Sequence, residues 1–167
     1  MPFSPKYVMF SGWVGDQDPT FDGLKNALAN MFWSSWYNYT NFGSDIAGYR
    51  GGSRTPELLI RWAQVGAFSP LMENGGENSH VPWDYESGEK STLIQDAYRR
   101  AVNVHYELIP YFVTCAAEAN EGGYSVMRPQ EERPKDLNPL QNVSFSTYAY
   151  QLGQDIFFSP ALEDGVR

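Results

Sequence analysis

Three times before position 123, a short strand-like run precedes a stretch with helical spacing, and that order restricts the fold more than any other feature of the chain. Residues 6–10 lead into 21–36, where Leu24, Ala27, Leu28 and Met31 fall at three- and four-residue steps, with Asp18-Pro19 as the expected helix start. Residues 41–45 lead, through the glycine-rich loop 48–52, into a helix opened by Thr55 as cap and Pro56 in its first turn. Leu58, Leu59, Trp62 and Val65 form the apolar side of that helix. Residues 69–73 lead, through the polar loop 74–80, into a long helical segment with the stripe Ile94, Tyr98, Val102, His105, Ile109, Phe112 and Ala116. Pro110 predicts a kink in it and Gly122-Gly123 its end. Repeated strand-helix order with a long loop after each strand predicts a parallel sheet with its site at the carboxyl ends of the strands. A closed eight-fold barrel takes roughly 250 residues, so a chain of 167 holds only part of one. After position 123 the pattern changes to short β-like runs at 124–127 and 155–159, separated by the proline-rich, charged stretch 128–139, which reads as the start of a β domain.

A net charge of −8 and a pI near 4.7 argue against nucleic acid as a partner. Cys115 stands alone in an apolar helical stretch, which excludes an internal disulfide and predicts a buried structural thiol. Two histidines without acidic residues at matching spacing predict no metal centre. No apolar run approaches the ~20 residues that span a bilayer, and residues 1–6 lack the charged-then-apolar pattern of a secretion signal. The compartment and oligomeric state are not encoded in any readable signal.

One segment carries chemistry. Gly12-Trp13-Val14-Gly15-Asp16-Gln17 sets a single carboxylate among glycine, tryptophan and amide groups at an expected strand-to-helix turn, a combination suited to a sugar. From spacing alone, Asp16 is either a proton-transfer group or a loop aspartate capping the helix. Aromatic residues make up 16 % of the chain against 19 % charged, a balance that suits rings stacked on sugar faces and a large core equally well.

With these residues in view, the chain resembles glycoside hydrolase family 31, the retaining α-glucosidase and α-xylosidase family, along nearly its whole length. Trp13-Val14-Gly15-Asp16-Gln17 looks like the acid/base segment of that family, and Gly43-Ser44-Asp45-Ile46-Ala47-Gly48-Tyr49 like its next strand end. The run from Glu57 through Arg61-Trp62 to Ser69-Pro70 looks like the helix that follows. Pro82-Trp83, Ile109-Pro110-Tyr111-Phe112, Val126-Met127-Arg128-Pro129 and Leu152-Gly153-Gln154-Asp155 match the last helix and what comes after it, all in the family's order. The resemblance implies an α/β fold: the last three or so βα units of a TIM (β/α)8 barrel over 1–122, then the first strands of a β-sandwich over 123–167. It implies hydrolysis of an O-glycosidic bond in an α-glycoside, without a cofactor. It also implies a fragment, inactive by itself, because no segment matches the aspartate nucleophile that the family carries on an earlier strand. A non-catalytic carbohydrate-binding or interaction fragment is the alternative.

Residue by residue, the resemblance gives Asp16 the role of general acid/base and Asp45 that of accepting hydrogen bonds from sugar hydroxyls, although Asp45 could equally form the turn before Gly48. Trp13 and Tyr49 match aromatic positions lining the same subsite, where core packing is the competing reading. Arg61 and Trp62, on a helix, are expected to hold that helix against the barrel. The pattern breaks at Glu73-Asn74-Gly75-Gly76, where most members carry an arginine and, two positions on, a histidine that binds the sugar. Glu73 could bind hydroxyls in their place. His80 could fold back to fill the gap above Gly75 and Gly76, or pack beside Pro82-Trp83.

Overall fold

A computed structural model describes residues 4–5, 7–78, 80–85, 88–123, 125–135 and 145–165. Its elements alternate as the sequence predicts: β1 (Gly12–Trp13), α1 (Phe21–Trp36), β2 (Phe42–Asp45), α2 (Pro56–Ala67), β3 (Leu71–Glu73) and α3 (Glu89–Gly122). β4 (Met127–Pro129), β5 (Tyr150–Leu152) and β6 (Ile156–Phe158) follow. The first three strands form one parallel sheet in the order β1-β2-β3, with Gly12 opposite Phe42, Gly43 opposite Leu71 and Asp45 opposite Glu73. Such a sheet brings all three carboxyl ends to one side, and α1 and α2 cross back over it as parallel topology requires.

The helices begin where side chains can satisfy their free amides. Thr55 accepts from the Leu58 amide at 3.2 Å and Pro56 opens α2, as its sequence predicts. α1 differs: its cap is Thr20, which accepts from the Gly23 amide at 3.0 Å, so Asp18-Pro19 lies before the helix rather than at its start. The strand expected at 6–10 is also displaced. The amides of Val8 and Met9 both donate to the Pro5 carbonyl, closing a turn that leaves Tyr7 and Phe10 exposed, and sheet pairing begins only at Gly12; Lys6 lies outside the described residues.

α3 runs unbroken through Pro110 to Gly123, which caps it in the left-handed conformation. Its buried positions are Ile94, Ala101, Phe112, Cys115 and Ala119, so the inward stripe keeps Ile94 and Phe112 of the expected one but is turned toward Ala101, Cys115 and Ala119, and Ile109 is exposed. Cys115 is a buried free thiol, pushed up from its ordinary value by burial.

β4, β5 and β6 pair antiparallel, in that order. The run expected at 124–127 reduces to Met127 at the start of β4, Tyr124 lying outside the described residues, and β5 is a strand that the sequence reading did not anticipate. Its Tyr150 is fully buried, edge-on to Phe32 of α1 at 5.5 Å, and donates its hydroxyl to the Phe68 carbonyl at 2.9 Å. One hydrophobic cluster accordingly joins Leu28 of α1 and Trp62 of α2 to Val126, Met127, Tyr150 and Leu152, across position 122.

Candidate active site at the strand ends

The loop after β2 is locked onto the turn after β1. Gln17 is buried and donates from Nε2 to the Val14 carbonyl at 3.2 Å, while its own carbonyl accepts the amides of Tyr49 and Arg50, each at 3.1 Å. Trp62 of α2 is completely buried and donates from Nε1 to Ser44 Oγ at 2.9 Å, fixing the helix behind β2. Trp62 therefore does the positioning expected of it; Arg61 pairs with Glu57 on its own helix at 3.3 Å.

Asp45 is the last residue of β2 and is buried, with Oδ2 lacking a hydrogen-bond partner. Burial raises its pKa, the charge of Asp16 raises it further, and a hydrogen bond from the Trp13 side chain and the charge of His80 act in the opposite sense. Glu73 ends β3 directly across from Asp45. Its Oε1 is also buried without a partner, and burial together with the Asp45 charge raises its pKa. Gly75 leaves room for this pair: a Cβ there would lie 2.8 Å from Asp45 Oδ1 and 4.0 Å from the Tyr49 ring.

The structure thus gathers Trp13, Asp16, Asp45, Tyr49, Glu73 and His80 around the carboxyl ends of three parallel strands. Asp16 and Trp13 are exposed, Trp13 by half, so the site is open to solvent on that side. His80 is half-buried, with Nδ1 2.8 Å from the Asn78 carbonyl, and its charge acts on Asp45, while the space above Gly76 is taken by Arg54 Nη2 and the carbonyls of Gly48 and Tyr49. Among the described residues no three metal-capable side chains converge.

Arg54 is the site residue that sequence reasoning missed. Its guanidinium is buried and donates to five carbonyls: Ala47 at 3.1 Å, Gly48 at 2.9 Å, Tyr49 at 3.2 Å, Arg50 at 3.0 Å and Glu77 at 2.6 Å. The loop that carries Tyr49 is wrapped around this one cation. The only signal in the sequence is an arginine between a glycine-rich loop and a helix cap.

A parallel βα sheet with acidic side chains at its carboxyl ends is common to many barrels, so the comparison with known proteins decides between them. The family model of the glycosyl hydrolases family 31 TIM-barrel domain matches residues 4–115. The chain belongs to glycosyl hydrolase family 31. An α-glucosidase from Mucor javanicus is 32 % identical over 156 residues, covering 92 % of this chain and 17 % of the relative. A probable glucan 1,3-α-glucosidase from Oryza sativa subsp. japonica is 31 % identical over 177 residues, covering 99 % of this chain and 18 % of the relative. A cycloalternan-degrading enzyme from Trueperella pyogenes superimposes with a TM-score of 0.73 at 21 % identity, over 92 % of this chain and 22 % of that one, which shows the shared fold. The family 31 chain therefore spans less than a fifth of the length of the curated relatives it matches.

Proposed function

We propose that the chain forms one wall of the active site of a retaining α-glycosidase acting on an α-glucoside, with Asp16 as general acid/base. The observation that carries this reading is the facing pair of buried Asp45 and half-buried Glu73, each with a buried carboxylate oxygen lacking a partner, beside the exposed Asp16 at the ends of parallel strands. Buried acceptors with no internal donor are suited to sugar hydroxyls, because a ligand lacking the hydroxyl leaves them unsatisfied. Trp13 and Tyr49 supply ring faces beside them, and His80 a further polar contact.

Retaining hydrolysis needs two carboxyl groups ~5–5.5 Å apart, one attacking the anomeric carbon and one protonating the leaving oxygen and then deprotonating water. Asp16 suits the second role, since its exposed carboxyl can reach both the leaving group and the incoming water. In this reading the nucleophile comes from a barrel strand outside this chain, for which the relatives, more than five times as long as the stretch matched, have room. Residues 123–167, with their antiparallel β4-β5-β6 sheet, open the β-sandwich that follows the barrel over 1–122.

Incubating the chain and a version extended upstream with an aryl α-glucoside tests this. Turnover by the extended version only is the expected result. Turnover by the chain alone overturns the division of the catalytic pair, and sugar binding without turnover by both supports the non-catalytic alternative.

A further inference from the structure

We propose that the outer face of α1 carries a second carbohydrate site, a surface groove for a neutral oligosaccharide, lined by none of the strand-end carboxylates. The groove has a volume of about 340 Å³ and is lined by Asp22, Lys25, Asn26, Asn30 and Trp33 of α1 and by Tyr148, which precedes β5. That volume lies within the ~300–1,000 Å³ range of ligand-binding clefts.

Its chemistry selects the ligand. Asp22, Asn26, Asn30 and Trp33 follow at steps of four, four and three, so they form one stripe along the helix. Asn30 Nδ2 donates to Asn26 Oδ1 at 3.0 Å, which leaves Asn26 both of its amide hydrogens and Asn30 its side-chain oxygen. A donor and an acceptor side by side match two neighbouring hydroxyls of a pyranose, each of which both gives and accepts. Trp33 and Tyr148 are half-buried rings at the rim of the same groove, and Trp33 is held in place by Trp36, edge-on at 5.8 Å, and by Tyr37, stacked at 6.3 Å. A ring fixed before binding loses little entropy when an apolar sugar face settles on it.

Charge excludes the other ligand classes. Lys25, the one cationic residue among the described ones that line the groove, lies 3.7 Å from the exposed Asp22 carboxylate, which opposes a phosphate or a uronate there. The net charge of −8 disfavours any polyanion. The oligosaccharide is of the α-glucan class that the strand ends are proposed to cut, and to that extent the inference rests on the proposed function.

Affinity electrophoresis of the full chain in native gels containing a soluble α-glucan measures the binding without any turnover. The chain should be retarded, with the apparent Kd rising about tenfold in Trp33→Ala and roughly fivefold in Asn26→Ala. Asn26 is exposed, so its variant keeps the fold even if loss of the Trp33 ring loosens α1. Asp45→Asn should remove at most a strand-end share of the retardation and leave in place the part that Asn26→Ala removes. Retardation lost in Asp45→Asn but kept in Asn26→Ala would move the binding to the strand ends and overturn the groove while sustaining the proposed function. No retardation of a natively folded chain would also overturn it.

Discussion

Replacing Arg54 by methionine removes the guanidinium and keeps most of the stem, and its cost can be worked out carbonyl by carbonyl. Tyr49 O retains the Glu77 amide at 2.8 Å, and the Arg50 and Glu77 carbonyls belong to exposed residues that water can reach. Ala47 and Gly48 are buried, so their two carbonyls lose their partner without replacement. A stranded buried acceptor costs ~1–3 kcal/mol, which gives ~2–6 kcal/mol for the pair. Against a typical domain stability of ~5–15 kcal/mol that is a large share. With a urea m-value of ~2 kcal/mol/M, the unfolding midpoint should fall by ~1–3 M. Hydrogen exchange at the Tyr49 and Arg50 amides, which bond the Gln17 carbonyl, should accelerate with it. Arg54→Lys should fall between, because a single ammonium cannot span five acceptors. A loss below ~1 kcal/mol, with unchanged exchange at Tyr49 and Arg50, would refute the account of this loop.

Three further outcomes follow from the same geometry. Asp45 and Glu73 both have raised pKa values, so the folded state binds more protons than the unfolded one and stability falls as pH rises from their ordinary values of 3.8 and 4.5 through the raised ones. Asp45→Asn should therefore stabilise the chain at neutral pH and lose that advantage under acid, and Asp16→Asn should lower the Asp45 titration midpoint followed by NMR; a stability gain independent of pH would contradict this. Trp62→Phe strands Ser44 Oγ and should cost ~1–2 kcal/mol, part of which Ser44→Ala restores in the double variant, as read by thermal or urea unfolding. Gly153→Ala should cost ~2 kcal/mol or more in the same assay, because φ is +61° and the new Cβ would lie 2.3 Å from the Tyr111 hydroxyl and 2.5 Å from Cys115 Sγ.

Periodicity and caps made the parallel half of the fold legible. Thr55-Pro56 sets the α2 boundary by purely local hydrogen bonding, and the strand-helix order sets the sheet. Where local chemistry competes, the sequence misleads: Tyr7, Val8 and Phe10 look like a strand, yet Pro5 captures two of the following amides in a turn. β5 is too short to show its alternation, and its burial comes from its neighbour Phe158 in β6 and from Phe32 of α1, more than a hundred residues earlier. In the site, the likeness to family 31 motifs pointed to Asp16 and Asp45, whereas Glu73 stood out as the residue at which the family pattern breaks. The facing of Asp45 and Glu73 is a matter of register between strands that share no local signal. Arg54 stayed hidden because all five of its partners are backbone carbonyls, which every residue has.

The central claim is that Asp16 handles the proton in a reaction whose nucleophile lies outside this chain. Its most direct test is the Asp16→Ala variant of the upstream-extended protein, assayed for kcat/KM on aryl α-glucosides of graded leaving-group pKa, with and without azide. The account predicts a loss that is small for acidic phenols and grows to ~10²–10⁴-fold for basic leaving groups, with azide restoring part of the rate. An unchanged kcat/KM across the series would remove Asp16 from the mechanism.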